Sequence, residues 1–500
     1  MVKDKDLIDP AQKIAAIIAG GDDAIGSCDA VDPVEGEAER PAAARAMGFD
    51  VEEINASHAL VLMGSKAVVV KEQPAGPVED RVRVLSIEAF RAWFSNRPTE
   101  VLGADGKIKT TNWGQAWLSH KKRRQFSGIE FFPNPDNAPA TPGYLNLWRG
   151  YGITPSENGS YAIFRDHLLS NVCQGNQAIF DYLWTWIAHI FQNPRERIGT
   201  AIVLRGRMGS GKTKVGEVIG SLIPLHYFPV DDPRYIVGNF NAHMASCLFL
   251  QADEAVWAGD KHAEGRLKGL VTSESQMIES KGVDPIRIAN YVRVMMTSNE
   301  DWVVPAGKDE RRFCVLDVHP RCAQNHDYFR EMDEELNVGG RERLLYDLLN
   351  HDISAINLRQ IPRTRALLEQ KIRSLDPVES WWLNRLMDGT PTHAVDHWVE
   401  EMEKAALYSD YCKASDVIGV GRKRDPATFG SQLSKLVPSI KQIRPRRENG
   451  RRPHCYLLPS LDTCRSHLEE LFGQEIDWPA FVASESEVAA KISEDDPVPL

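Results

Sequence analysis

The sequence predicts an α/β chain of several domains built around a phosphate-binding loop, and three observations lead there. Thr200-Ala-Ile-Val-Leu204 is an apolar, strand-like run that leads into Gly206-Arg-Met-Gly-Ser-Gly211-Lys212-Thr213 and then the helical stretch Val215 to Leu222. That is G-x-x-x-x-G-K-T in the strand, loop, helix setting the motif requires. Further apolar runs follow at Cys247 to Ala252, Tyr291 to Thr297 and Phe313 to Val318, with the composition of buried strands. Upstream, Leu168, Leu169, Val172, Phe180, Leu183, Trp184, Ile187 and Ile190 recur at helical spacing between Phe164 and Phe191, which predicts a helical collar.

At 500 residues the chain exceeds one ordinary core, so about two to four domains are expected. With 42% hydrophobic and 26% charged residues the composition is that of a folded soluble protein. No run approaches the roughly 18 apolar residues of a spanning helix, and Met1 to Asp6 is too polar for a secretory signal. An intracellular protein without a membrane partner is expected. Eight cysteines lie scattered without a C-x-x-C pair, against a disulfide framework or zinc ribbon. Only Cys464 and His467, with Cys455 nearby, hint at metal spacing, and a fourth ligand is not evident.

The net charge of −11 would argue against nucleic acid as a partner, but it is unevenly spread. Residues 1–50 and 474–500 each sum to −6, whereas Arg422 to Arg452 holds ten basic residues against two acidic. In chain order the expected parts are an acidic arm (1–57), a small N-terminal α/β region (58–135) and the helical collar (136–197). A nucleotide-binding core (198–320), a helical lid or linker (321–404), a small basic α/β unit (405–473) and an acidic tail (474–500) follow. The first α/β region opens with a hairpin about Gly64-Ser65, and a helix capped by Ser86 carries Phe90, Trp93 and Phe94.

Each motif of the core implies a role. Gly206, Gly209, Ser210 and Gly211 let backbone N–H groups cradle phosphates at a helix N-terminus. Lys212 would neutralise the β/γ-phosphates and the Thr213 hydroxyl would ligate Mg²⁺, so ATP and Mg²⁺ are the expected ligands. The second apolar run ends in Asp253-Glu254, 41 residues after Lys212: Asp253 for the metal shell, Glu254 to polarise a water. Asn299 follows the third run and is an amide placed for the γ-phosphate. Arg311 and Arg312 precede the fourth, where an arginine could meet the phosphates of the next subunit.

In the basic unit, Phe429, Leu433, Leu436 and Val437 share one helical face. Ile440 to Arg447, then Glu448-Asn449-Gly450, then Arg451 to Leu458 read as a hairpin with an Asn-Gly turn. Helix plus arginine-studded hairpin is a winged-helix layout, in which Arg444, Arg446, Arg447, Arg451 and Arg452 would contact DNA phosphates.

The order and compactness of these pieces, with Ala252 to Lys261, Ile278 to Asp284 and Ser298 to Pro305, resemble the superfamily 3 helicases, and more closely the phage and prophage primase-helicase family related to the poxvirus primase-helicase. The resemblance spans about His58 to Gly473 and implies an AAA+-type core in a homo-hexameric ring, hydrolysing ATP while translocating on single-stranded or forked DNA in the host cytoplasm, alongside replication proteins. It further implies that Lys281 points into a central channel and that Arg312, with Arg311 as substitute, is the arginine finger. One departure is that no D-x-D or D-x-E pair lies on a credible strand between Met1 and Gly150, which counts against primer synthesis. The expected function is therefore a replicative ring helicase. The alternatives are a bifunctional primase-helicase and an ATP-switched DNA-binding loader or regulator; a degenerate ring would predict a damaged loop.

Overall fold

The computed structural model describes residues 48–77, 80–102, 106–232, 241–254, 261–279 and 284–479. The arm before residue 48, the segment carrying Lys281 and the tail beyond 479 lie outside the described residues. No described helix is long and apolar enough to cross a membrane. The described residues form two compact units, one within 48–304 and 311–364, the other within 305–310 and 365–479.

The first unit begins with strands β1 (His58–Met63), β2 (Lys66–Glu72) and β3 (Val82–Leu85). β1 and β2 pair antiparallel from His58–Lys71 to Met63–Lys66 around the predicted turn at Gly64, whose φ of +58° suits a residue without Cβ. The helix Ile87–Trp93, with the predicted Ser86 cap accepting from Ala89 N, lays Phe90 against Val69, Phe94 and Trp117. Short strands β4 (Pro98–Leu102), β5 (Ile108–Asn112), β6 (Gln125–Phe126), β7 (Gly128–Glu130) and β8 (Tyr144–Asn146) complete this part, with β6 parallel to β1.

The stretch of helical spacing from Phe164 to Phe191 forms more than one helix. A turn of π-helix, His167–Val172, follows Ala162–Asp166, and Gln174 and Gly175 at positive φ separate it from Gln177–Gln192. Wider π-turns keep apolar residues near helical spacing while shifting their phase, so the break is invisible to periodicity. Gln177–Gln192 is buried on almost all sides, from Phe180 through Trp186 to Phe191, as a helix enclosed by other elements must be.

Next come β9 (Ala201–Arg205), β10 (Tyr227–Val230), β11 (Phe249–Asp253), the antiparallel pair β12 (Ser275–Ile278) and β13 (Ile286–Ala289), β14 (Arg293–Ser298) and β15 (Phe313–Asp317). β10, β11, β14, β9 and β15 form, in that order, a fully parallel sheet. Every residue of β9 and β14 is buried, which explains their continuous apolar runs. The helix Lys212–Ser221 leaves the loop after β9, and its Gly216 and Gly220 sit where a Cβ would strike Gln251 and Tyr227.

The second unit packs the helices Arg365–Arg373, Pro377–Asp388, Lys404–Val417, Pro426–Leu436 and Leu461–Phe472 about Trp381, Trp382, Tyr411, Phe429 and Leu433. A small antiparallel sheet joins them, with β18 (Cys455–Leu457) between β16 (Glu401–Glu403) and β17 (Lys441–Ile443). The predicted hairpin is present with three-residue strands, so its arginines fall in the connection. Trp382 is fully buried beside Trp381 and Trp398. Trp382→Ala should therefore lower stability by about 3–5 kcal/mol, measured by urea unfolding with hydrogen exchange followed in 377–388.

Candidate functional site

Parallel pairing brings three strand ends to one edge. Ser298 lies opposite Arg205, and Asp253 opposite Thr297, so Gly206, Asn299 and Glu254, each the next residue along, are neighbours. In the loop, Gly206, Gly209 and Gly211 have φ of +149°, +77° and +89°, backbone that L side chains rarely adopt. Space imposes the same choice, since a Cβ on Gly206 would meet the Val318 carbonyl at 2.8 Å and one on Gly211 the ring of His167 at 2.6 Å. Ser210 is buried and its Oγ has no hydrogen-bond partner among the described residues.

Lys212, the first residue of its helix, is 6% exposed. Its Nζ donates to Gly206 O at 2.7 Å, Arg207 O at 2.8 Å and Asn299 Oδ1 at 2.9 Å. Burial pulls its pKa down, opposed by Glu254 and Asp253 nearby. Asn299 Nδ2 donates to Glu254 Oε1 at 3.0 Å. Glu254 is held at a φ of +51°, with its N–H donating to Thr297 O at 2.9 Å. Asp253 accepts from Thr297 Oγ1 at 2.6 Å and from Gln251 Nε2 at 2.9 Å, and Gln251 in turn accepts from Tyr227 OH at 2.7 Å. One cation, two carboxylates and an amide thus converge beside a glycine loop.

Of the residues predicted for this site, Gly206, Gly209, Ser210, Gly211, Lys212, Thr213, Asp253, Glu254 and Asn299 lie together. The exposed Thr213 and the partly exposed Asp253 supply hard oxygen donors suited to Mg²⁺. No cluster of three or more His, Cys, Asp or Glu able to hold a metal occurs among the described residues. Arg311 and Arg312 lie elsewhere. They precede β15, whose Phe313 pairs with Ala201 at the start of β9, so a five-residue strand, on the order of 16 Å, separates them from the loop of their own chain. Lys281 is outside the described residues; Asp284, three residues on, accepts from Ser65 Oγ at 2.9 Å.

Sequence reasoning missed several supporting residues. Gln251 and Thr297, polar residues in apolar strands, fix Asp253. Arg205, at the end of β9, is buried and pairs with Asp317 at 2.5 Å. His167, brought by the π-turn, lies fully buried against Gly211 and beside Phe329, with Asn171 Nδ2 at 3.0 Å from its Nδ1. The polar interruptions were a legible signal for the first three; the π-turn had none.

In the second unit, Arg444, Arg446, Arg451 and Arg452 are exposed, and Arg447 pairs with Glu401 at 2.7 Å. Arg447 N–H donates to Arg451 O, and Gly450 N–H to Arg447 O, closing the turn. A cavity of about 630 Å³ beside it is lined by Glu403, Arg446, Arg447, Glu448, Asn449, Arg451 and Pro453. The thiol of Cys464 is buried and pushed up to about 12 by desolvation.

Fold and geometry thus define a mixed α/β protein with a glycine-rich loop, a buried lysine and two carboxylates at the carboxyl edge of a parallel sheet. Residues 204–312 match a family of unknown function, DUF5906. Over 254 residues, 48% of this chain, the sequence is 22% identical to the DNA Primase-polymerase of Nitratiruptor phage NrS-1, covering 35% of that protein. The chain therefore spans about a third of the length of this curated relative. Apo structures of the NrS-1 C-terminal region superpose with TM-scores of 0.55 and 0.56 at 15% and 14% identity, covering 80% of this chain and 95% and 96% of those chains.

These matches correct the family resemblance, because the relative is named a primase-polymerase and not a superfamily 3 helicase. The ring helicase and the ATP hydrolase go with it, as does the AAA+ vocabulary. The physical reason is that a glycine loop, an acidic pair and an amide recur on proteins of different activity, and the work a site does is set by the rest of the protein. The primase-containing alternative fits better, despite the missing carboxylate pair.

Burial lowers the His167 pKa from 6.5 to about 4, against weaker raising influences from the Gly211 backbone and Asp166. Below pH 6.5 the unfolded chain binds the proton that the folded chain refuses, so this group's contribution to stability is complete above 6.5 and is lost as pH falls toward 4. Urea unfolding of wild type and His167→Gln should show a smaller loss across that window in the variant.

Proposed function

We propose that the chain serves phage DNA primer synthesis as the nucleoside triphosphate- and DNA-binding part of a primase-polymerase-type replication protein. The observation that carries this reading is Lys212, held between the loop carbonyls and Asn299 at the meeting point of three strand ends, in a chain whose sequence relative is a DNA primase-polymerase. The strand order, with β9 between β14 and β15, supports a nucleotide-binding core.

ATP with Mg²⁺ is the ligand the residues suit. Backbone N–H groups from Gly209 to Lys212 would surround the β-phosphate, and Lys212 would offset charge between the β- and γ-phosphates. Thr213 and Asp253 would hold Mg²⁺, which supplies further charge neutralisation when bound. Glu254 and Asn299 would border the terminal phosphate. The whole protein would be an enzyme of nucleotidyl transfer, and no residue of this chain is assigned as its polymerising centre. Arg311 and Arg312 would reach only a nucleotide held by another copy, so a role for them requires the expected homo-oligomer, a hexamer. Lys281 and the arginines at 444, 446, 447, 451 and 452 are proposed to contact DNA, with Arg447 released from Glu401.

Binding of a fluorescent ATP analogue with Mg²⁺ tests the first half. Lys212→Ala should weaken it at least about 30-fold, the scale of a desolvated charge contact, while a single-stranded template still binds. Binding indifferent to Lys212 would overturn the reading. For the second half, Arg451→Ala with Arg452→Ala should reduce the slope of log affinity for DNA against log salt by about two. An unchanged slope would remove the hairpin from the DNA contact.

A further inference from the structure

We infer that Arg205 is a positioning residue that gives the site its preference for a triphosphate over a diphosphate, acting through Asn299; the inference rests on the nucleotide-binding reading above. Asn299 is the side chain that joins Lys212 to Glu254. Its Oδ1 can only accept from the ammonium and its Nδ2 can only donate to the carboxylate, so both ends of the amide are specified. A terminal phosphate beside Lys212 would lie against this amide, whereas a diphosphate would end short of it.

Asn299 nevertheless stands just beyond the last residue of β14, where ladder pairing has stopped. What holds the turn is visible in its bonds. Glu300 N–H donates to Ser298 Oγ at 3.0 Å, and Gly206 N–H donates to Ser298 O at 3.2 Å. On the far side of Asn299, Arg205 NH1 donates to Asp301 O at 2.8 Å. The same guanidinium grips Asp317 with both remaining edges, Nε to Oδ1 at 2.5 Å and NH2 to Oδ2 at 2.9 Å. Asp317 is the last residue of β15, directly opposite Arg205 in the ladder.

A bidentate pair fixes the plane of a guanidinium, and this one lies between the strands that flank it. Arg205 therefore ties the ends of β15 and β9 to the turn after β14, so that Asp301, and with it Asn299, keeps a set distance from the loop that begins at Gly206. Buried as it is, the bond to Asp301 is not readily replaced by water. Removing the fork would free the turn on one side and let Asn299 leave Lys212. Contacts made by the loop N–H groups would stay.

The test is a set of affinities for ATP and for ADP, each with Mg²⁺, by calorimetry on the full chain. Wild type should prefer ATP. Asn299→Ala and Arg205→Ala should each weaken ATP about tenfold and ADP less than twofold, and the double variant should be no weaker than either single, since both act on one contact. Asp317→Asn, which keeps the arginine but loosens its grip, should fall between, and stands in if Arg205→Ala does not fold. Equal losses for ATP and ADP, or additive losses in the double variant, would show a merely structural arginine and overturn the inference. If Lys212→Ala removes binding of both nucleotides while Arg205→Ala leaves the preference intact, this inference alone fails. If wild type binds neither nucleotide, the functional reading fails with it.

Discussion

The candidate site depends on the parallel register of β11, β14 and β9. In a parallel sheet all chains leave by the same edge, so the residues that follow each strand meet there without any of them being adjacent in sequence. Asp253 opposite Thr297, and Ser298 opposite Arg205, put the acid pair, the amide and the glycine loop within one hydrogen-bond network. A slip of one residue in any of these strands would turn the ligating side chains to the other face of the sheet. The uniformly buried interior of β9 and β14 resists such a slip, because both faces are already packed.

Within that frame the charge of Lys212 is the element that must be satisfied. A buried ammonium without acceptors is costly, and here two loop carbonyls and one amide oxygen accept from it. Meeting that demand shapes the loop, since the carbonyls of Gly206 and Arg207 turn toward the lysine. Glycine at 206, 209 and 211 permits the turn, and the close approach of Val318 and His167 enforces it. The loop is therefore supported from outside by β15 and by the π-turn, parts of the chain remote from the motif.

Much of this was legible in the sequence, and for identifiable reasons. The glycine loop, Lys212, Asp253, Glu254 and Asn299 announce themselves because each stands at the end of an apolar run, and strand ends on one edge are where a parallel sheet places its chemistry. Arg205, Gln251 and Thr297 were passed over because they act on other side chains and carry no motif, although a polar residue in a buried strand always demands a partner. His167 was hidden for a different reason: its π-turn preserves apolar spacing while rotating the helix. The hairpin at Asn449-Gly450 was legible as a turn, whereas the shortness of its strands and the pairing of β18 with β16, far away in sequence, were not.

The gap between site and function has the same origin. Residues around a triphosphate report on phosphate geometry, and that geometry is shared by proteins that do quite different things with the ligand. The family resemblance drawn from those residues was therefore mistaken about the class of protein, while the broader match, reaching over 254 residues to a primase-polymerase, draws on the scaffold as well. The scaffold also accounts for the separation of Arg311 and Arg312 from the loop, since residues that precede a strand lie at the edge opposite those that follow one. In one copy of the chain the length of β9 and β15 therefore stands between those arginines and the glycine loop.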